Sequence, residues 1–290
     1  MKLSVFYNHI LQAATQSGKT LDEVVKMAAD CGIGGVDTHV ELIDRDPEMM
    51  PRLNKNGIIL NCPYEFFNWN SVEYGDMTRL HHLVDSASKY GANKVLVVPG
   101  FLEGEVSDRL NDILDRTEIT ADGYLSPEFD SFMRECEDMV KIADMMRRAV
   151  AYGKERGVTI MVEDFDNMSS PVARTLTIMW FLKNVDGLKF AFDSGNFASA
   201  DEDSFLAAEL LKDYINHVHL KDRGEQEGFE GKKHSRGLAT VAVGSGYLPI
   251  REMVEWVRGI GYDGYFALEH FEHPDQCSAI PASAEFVKSI

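Results

Sequence analysis

Four predicted β-strands in the second half of the chain each end on a side chain that can bind a metal ion or transfer a proton. These side chains are three carboxylates and one imidazole, namely Glu163, Asp193, His219 and Glu269. Side chains alternate between the two faces of a strand, so residues two apart share a face. In each strand the residue just before the polar one is apolar and suits packing on outer helices. The pattern therefore predicts that the four polar side chains face inward and converge.

Three carboxylates and one imidazole directed at one point favour a cation among them, because the carboxylates otherwise repel each other. The sequence therefore predicts one divalent metal ion held by Glu163, Asp193, His219 and Glu269. Mn²⁺, Mg²⁺, Co²⁺ and Zn²⁺ all accept such ligands, so the identity of the ion stays open. A single acid at a strand end is explained more simply as a helix cap or a solvated charge. Four of them on consecutive strands with matching faces favour the metal site.

These strands belong to an alternation of short β-rich runs and amphipathic helical stretches along the whole chain. The predicted strands are Lys2–Phe6, Gly35–Thr38, Ile58–Asn61, Lys94–Val98, Thr159–Glu163, Leu188–Asp193, Ile215–Leu220 and Gly264–Glu269. Eight strand–helix units in 290 residues predict an α/β fold, a closed (β/α)₈ TIM barrel that forms a single domain over residues 1–290. An open doubly wound sheet is the competing fold, but the chain has no glycine-rich phosphate loop after an early strand.

The helical stretches between the strands show apolar positions at helical spacing. Leu21, Val24, Val25 and Ala28 define one helix, and a longer stripe predicts a second helix that runs from Phe132 to Val150. Glycines are expected to end several helices: Gly32, Gly57, Gly91, Gly157 and Gly187.

Two connections are longer than a minimal barrel needs, from Pro99 to Pro127 and from Lys221 to Tyr247. Both follow strands, at the barrel end where active sites lie, so we expect them to cover the site. Within the second connection, the Gly244-Ser245-Gly246 segment precedes a predicted helix and fits either an anion site or a tight turn.

The charge and cysteine content exclude several classes of partner and location. Acidic residues outnumber basic ones 47 to 29, for a net charge of −18. Such a chain repels nucleic acid and anionic membranes, so neither is an expected partner. No apolar run reaches the roughly 18 residues of a membrane span. The four scattered cysteines are predicted to be reduced thiols, so we expect a cytoplasmic protein. A homo-oligomer is left open.

Several motifs in the second half of the chain resemble those of the xylose-isomerase-like TIM-barrel superfamily of sugar phosphate isomerases and epimerases. They occur in the same order as in that superfamily: Val162-Glu163-Asp164, Phe192-Asp193-Ser194-Gly195-Asn196, His217-Val218-His219-Leu220-Lys221-Asp222, Val243-Gly244-Ser245-Gly246 and Phe266-Ala267-Leu268-Glu269. The resemblance implies that the four strand-end residues hold the metal. It also implies that Glu163 and Glu269 are the catalytic acid and base, one on each face of the substrate.

The resemblance is incomplete around the substrate. Asn196 stands where ketose epimerases have a histidine, and Glu225 stands where they have an arginine, with Lys221 and Arg223 nearby. We expect Asn196, Lys221 and Arg223 to bind substrate. Trp69 follows the third predicted strand and is assigned to substrate binding as an apolar wall, although a plain packing role fits it equally well.

The sequence therefore predicts a divalent-metal-dependent isomerase or epimerase that acts on a small sugar or related polyhydroxy carbonyl compound by glutamate-mediated proton transfer. A metal-dependent dehydratase of the inosose or 3-dehydroshikimate type is the alternative, because both reactions begin with removal of a proton next to a carbonyl. A binding module that keeps the barrel without catalysis is a further alternative. A nuclease of the endonuclease IV type is disfavoured by the charge of −18.

Overall fold

The computed structural model describes residues 1–290 as a closed barrel of parallel strands with helices around it. The barrel strands are β1 Lys2–Phe6, β2 Ile33–His39, β3 Ile59–Phe66, β4 Lys94–Val98, β5 Thr159–Glu163, β6 Lys189–Asp193, β7 Ile215–Gly224 and β9 Tyr265–Glu269. Each pairs in parallel with its neighbours, and β9 closes the barrel between β7 and β1. The predicted TIM barrel is confirmed.

The strand positions agree with the sequence pattern, but two strands run four or more residues past their predicted ends. β3 continues to Phe66 and β7 to Gly224. The extension of β7 pairs in antiparallel fashion with a short strand that the pattern did not indicate, β8 Ala239–Val241. This pairing puts part of the Lys221–Tyr247 connection into a hairpin above the barrel.

Twelve α-helices cover the outside of the barrel. They are α1 Tyr7–Ser17, α2 Leu21–Asp30, α3 Val40–Arg45, α4 Met49–Lys55, α5 Thr78–Lys89, α6 Gly104–Asp115, α7 Pro127–Glu135, α8 Glu137–Glu155, α9 Thr175–Asn184, α10 Ser204–Leu211, α11 Ile250–Gly259 and α12 Gln276–Lys288. The single helix predicted over residues 132–150 is wrong. Cys136 is extended, with φ −68° and ψ 119°, and separates α7 from α8. The apolar stripe continues across the break because its residues are buried in both helices, Phe132 in α7 and Met139, Ala143 and Met146 in α8.

The predicted glycine stops are confirmed. Gly32, Gly57, Gly91, Gly157 and Gly187 all adopt positive φ, between 67° and 86°. Only glycine takes this left-handed conformation without a steric cost, which explains why each helix ends there.

The alternation of side chains along the strands separates two apolar cores. A small cluster fills the barrel interior and includes Met161, Ala191 and Ala267. The large core between barrel and helices contains their strand neighbours Val162, Phe192 and Leu268. The inward direction predicted for Glu163, Asp193 and Glu269 follows, because each lies two residues after an interior position. No helix of the protein has both the length and the hydropathy of a membrane span.

Candidate active site

The carboxyl ends of β5, β6, β7 and β9 bring four polar side chains to one point at the top of the barrel. One ligand atom from each of Glu163, Asp193, His219 and Glu269 lies within 4.8 Å of the other three. All four residues are buried, with at most 6% of their surface exposed. Metal–oxygen and metal–nitrogen bonds of roughly 2.1 Å place opposed ligands about 4.2 Å apart, so the separations suit one ion.

The hydrogen bonds within this cluster leave oxygen atoms without partners. His219 Nδ1 lies 2.5 Å from Glu163 Oε1 and is hydrogen-bonded to it. Asp193 Oδ1 accepts the backbone N–H groups of Gly195 and Asn196. Asp193 Oδ2 and Glu269 Oε2 are buried and accept no well-aligned hydrogen bond, although His219 Nδ1, which is bonded to Glu163, also lies 3.3 Å from Glu269 Oε2. Buried carboxylate oxygens without donors are costly, and a cation among them would remove that cost. The donor set therefore fits a divalent ion.

Burial and neighbouring charges shift the pKa values of the cluster in opposite directions. Burial, together with Glu269 and Glu163, raises the pKa of Asp193 to about 8. Burial also raises the pKa of Glu163. Burial would raise the pKa of Glu269 as well, but the Lys221 ammonium and His219 outweigh it and lower that pKa. Burial would lower the pKa of His219, but Glu163 raises it well above its ordinary value. Such opposed shifts of neighbouring groups are typical of functional sites.

A second layer of polar side chains lies directly below the cluster, and sequence reasoning missed it. Asp37 Oδ2 is 2.5 Å from His217 Nε2 and 3.4 Å from His219 Nε2, while Asp37 Oδ1 accepts Asn61 Nδ2 at 2.7 Å. Burial would raise the pKa of Asp37, but His217 and His219 hold it low. Asp37 thus faces His219 Nε2 on the side away from Glu163. The available signal was parity, since His217 shares a strand face with His219.

Asp37, His217 and Cys62 also lie close enough to hold an ion. However, Asp37 and His217 already satisfy each other, and burial raises the pKa of the Cys62 thiol. A thiol kept in its protonated form is a poor metal ligand. This deeper layer is better explained as a hydrogen-bonded support for the cluster above it.

A cavity of about 670 Å³ opens above the cluster. Glu163 and Glu269 line its floor, whereas Asp193 and His219 lie beneath them and do not. Aromatic side chains form part of the wall: Tyr64, Phe66, Phe165 and Phe271. The volume falls in the range of small-molecule sites.

Three of the four residues predicted to bind substrate line this cavity: Asn196, Lys221 and Arg223. Lys221 Nζ lies 2.5 Å from Glu269 Oε1 and donates to Asn196 Oδ1 at 2.6 Å. Arg223 Nη2 donates to Asp166 Oδ2 at 2.9 Å. Asp166, which the sequence did not single out, thus joins a network of two cations and an amide beside the glutamates.

Trp69 is a correction. Its side chain is completely buried in the core outside the barrel, where it stacks on Phe67 with ring centroids 4.6 Å apart. It does not line the cavity. Of the two long connections, Lys221–Tyr247 reaches the cavity through Leu238 and Thr240. The Pro99–Pro127 connection contributes no lining residue and instead forms α6.

The backbone N–H groups of the Gly244-Ser245-Gly246 turn bind a carboxylate of the protein itself, the side chain of Asp222. Asp222 Oδ2 accepts the backbone N–H groups of Gly244 and Gly246, at 3.0 and 2.8 Å, and Oδ1 accepts that of Leu248 at 3.2 Å. A Cβ on Gly246 would lie 2.3 Å from Asp222 Oδ1. The turn therefore fastens the end of β7, immediately after Lys221, to the start of α11.

Comparison with known proteins agrees with this fold. A family model described as the xylose isomerase-like TIM barrel matches residues 25–290. The fold and the match together show that the chain belongs to this family. An inosose dehydratase of Lacticaseibacillus casei is 26% identical over 147 residues, 48% of this chain and 49% of the relative. The chain therefore spans about half the length of the curated relatives it matches.

Solved structures resemble the whole barrel at low identity. A D-psicose 3-epimerase from Clostridium cellulolyticum H10, solved with D-tagatose, superposes with a TM-score of 0.70 at 14% identity, over 100% of this chain and 99% of the other. A xylose isomerase-like TIM barrel protein from Mycobacterium smegmatis, solved with magnesium, gives 0.63 at 17% identity, over 92% and 87%. The proteins that this chain resembles thus include an epimerase, by fold, and a dehydratase, by sequence.

Proposed function

We propose that the protein is a divalent-metal-dependent isomerase or epimerase that acts on a small polyhydroxylated carbonyl compound. The observation that carries the proposal is the position of the two glutamates. Glu163 and Glu269 line the cavity floor, while the other two members of the cluster are beneath them. They are therefore the two members of the cluster that a substrate can touch.

The ligands of the ion would be Glu163, Asp193, His219 and Glu269, and Mg²⁺, Mn²⁺, Co²⁺ or Zn²⁺ fits three oxygen ligands and one nitrogen ligand. When bound, a divalent ion supplies positive charge that stabilises an enediolate. The unpartnered Asp193 Oδ2 and Glu269 Oε2 support this assignment, as does the magnesium in the Mycobacterium smegmatis relative.

The protein residues divide the remaining work. One glutamate removes the proton from the carbon next to the carbonyl, and the other returns a proton to an adjacent position or to the opposite face. Lys221 donates to Asn196 and contacts Glu269, so its ammonium is held where a substrate hydroxyl or carbonyl oxygen would approach. Arg223, held by Asp166, orients the far end of the substrate. The aromatic wall excludes water from the reacting carbon.

Turnover in heavy water tests the proton-transfer mechanism. We expect deuterium on the carbon next to the carbonyl of the product, because a carboxylate exchanges the proton it has removed with solvent. A hydride shift between carbons would leave the product unlabelled, and that result would overturn the role given to the two glutamates while leaving the proposed metal site intact.

A dehydratase is the second candidate, because the relative from Lacticaseibacillus casei is an inosose dehydratase. Removal of the same proton followed by loss of a β-hydroxyl would need no other base. NMR of the product separates the two reactions: an isomerase keeps the number of hydroxyl groups, and a dehydratase releases one water. Candidate ketoses and cyclic ketones would be screened together with each metal ion.

A further inference from the structure

A second cavity lies at the opposite end of the barrel, where the strands begin. Its volume is about 550 Å³. The first residues of five strands line it: Lys2, Ile59, Lys94, Ile215 and Tyr265. None of the residues that line the cavity above Glu163 and Glu269 takes part in it. The two cavities are therefore separate sites.

Lys94 is the unusual residue of this cavity. Its side chain points into the barrel, because Leu96, two residues further along β4, belongs to the interior cluster. Lys94 is buried, with 7% of its surface exposed, yet its side-chain ammonium makes no hydrogen bond and no ion pair with any group of the protein. Its neighbours inside the barrel include His217 and Cys62, and the Asp37 carboxylate of that layer is bound by His217 and Asn61 and forms no ion pair with Lys94. A largely buried ammonium without an ion pair is costly.

The rest of the lining has the same sign of charge as Lys94. Lys2 and Lys212 are the other cationic residues of the cavity, and Asp263 is its one acidic residue. Three lysines and one aspartate leave an excess of two positive charges, on a chain whose net charge is −18. Asn93 and Asn216 also line the cavity.

We propose that this cavity binds a small phosphate-bearing anion, with Lys94 as its central contact. A phosphate monoester carries close to two negative charges near neutral pH, which matches the excess of the lining. Lysine ammonium groups bind phosphate as point charges and need no planar partner. The volume admits a phosphorylated small molecule as well as the phosphate group itself. The ligand supplies the counter-charge that the protein does not give Lys94.

The test is calorimetric titration of inorganic phosphate into the chelator-treated full-length protein at low chloride concentration. We expect one site per chain, with affinity weakened at least 10-fold in Lys94→Met and unchanged in Lys55→Met, an exposed lysine of α4 on the outer surface. Lys212→Met, at the exposed rim of the cavity, should weaken binding less than Lys94→Met. It also keeps the test decisive if the Lys94 variant does not fold.

Thermal unfolding gives an independent readout. Without phosphate, Lys94→Met should unfold at a higher temperature than the unmodified protein, because it removes an unpaired buried charge. Phosphate should then raise the unfolding temperature of the unmodified protein and leave that of the variant unchanged. A lysine with an ordinary structural role would show the reverse, with the variant less stable in both buffers, and that outcome would overturn the proposal.

Two further experiments test which class of anion binds and at which end of the barrel it binds. Malonate in place of phosphate tests for a dicarboxylate of similar charge, and tighter binding of malonate than of phosphate would overturn the phosphate assignment. Phosphate could also bind near Arg223 at the other end of the barrel. Binding that persists in Lys94→Met and is lost in Arg223→Gln would place phosphate there and refute the second site. Absence of measurable binding at about 10 mM phosphate would refute it too, since useful sites in cells saturate well below this concentration.

Discussion

Two layers of polar side chains inside the barrel, one above the other, differ in how well they are satisfied. In the lower layer, each carboxylate oxygen of Asp37 has a partner, Asn61 on one and His217 on the other. In the upper layer, Asp193 Oδ2 and Glu269 Oε2 have none. The layers are equally buried and adjacent, so burial does not explain the difference.

The two aspartates show what the difference means. Asp37 and Asp193 have 1% and 0% of their surfaces exposed. Burial acts to raise both pKa values, yet that of Asp37 is held low by His217, whereas that of Asp193 rises to about 8 beside Glu269 and Glu163. The lower layer contains its own counter-charges. In the upper layer Lys221 and His219 contact the two glutamates, but Asp193 Oδ2 accepts no hydrogen bond, and we propose that a divalent ion supplies the missing positive charge.

The largest expected effect is on catalysis in the upper layer. Glu163→Gln and Glu269→Gln each keep the shape of the side chain and remove the base. Each should lower kcat by roughly 10²–10⁴-fold, the range for a lost general acid or base. Metal content, measured by elemental analysis on the same samples, separates loss of the base from loss of the ion. Activity within a few-fold of the unmodified enzyme in either variant would contradict the proton-transfer role.

The second prediction concerns the stability of the metal-free protein. The folded state holds a proton on Asp193 up to a pH of about 8. An unfolded aspartate loses its proton near pH 4, so between these values the folded state binds more protons. Raising the pH from 5 to 8 should therefore lower the free energy of unfolding, by up to about 1.4 kcal/mol per pH unit for each proton. Urea unfolding of chelated protein at several pH values measures this fall.

Asp193→Asn provides the matched control, because it removes the titrating group and should flatten the pH dependence of chelated protein. Saturating divalent metal should flatten it in the unmodified protein, since a bound carboxylate has no proton to lose. An equally steep fall with and without metal would mean that the ion does not bind at Asp193.

The sequence predicts a residue of these layers only where its position in a strand shows which way its side chain points and which residues it will meet. Glu163, Asp193, His219 and Glu269 end their strands, so parity and strand order were enough to place them together. Asp37 also lies on an inward face, but register shifts between β1 and β2 and between β2 and β3 decide which neighbours it meets. Sequence alone does not give those shifts.

Three other features of the structure could not be predicted from the sequence, for similar reasons. The extended Cys136 breaks a helix whose apolar period continues unchanged, because periodicity reports which side is buried and not whether the backbone is continuous. Trp69 follows a barrel strand, as a cavity residue would, but packs outward on Phe67. The partner of the Gly244–Gly246 turn, Asp222, lies 22 residues earlier than Gly244. Contacts of this kind depend on the folded chain.

The third prediction tests whether the lower layer supports the upper one. Asp37→Asn keeps the shape of the side chain but removes the charge that faces His219 Nε2 at 3.4 Å. Carboxylates that orient a ligating histidine typically contribute 10–100-fold to metal affinity, so we expect a loss of that order by calorimetry. Cys62→Ala is the control within the same layer, because Cys62 contacts neither Asp37 oxygen through a hydrogen bond. Equal metal affinity in Asp37→Asn and the unmodified protein would mean that the lower layer does not contribute to metal binding by the upper layer.

The smallest expected effect concerns a third buried aspartate, which is satisfied by the backbone instead of by histidine or metal. Asp222 accepts backbone N–H groups of Arg223, Gly244, Gly246 and Leu248. Asp222→Asn replaces one acceptor oxygen by a donor, which leaves at least one buried N–H group unpaired at a cost of about 1–3 kcal/mol. Because the turn is beyond β7 and does not contact the cluster, metal affinity should change by less than about twofold while the free energy of unfolding falls. Paired urea unfolding and metal titration measure both quantities. A large loss of metal affinity in this variant would mean that the hydrogen bonds between Asp222 and the turn help to position His219. The structural support of the metal cluster would then extend beyond the barrel interior to this turn.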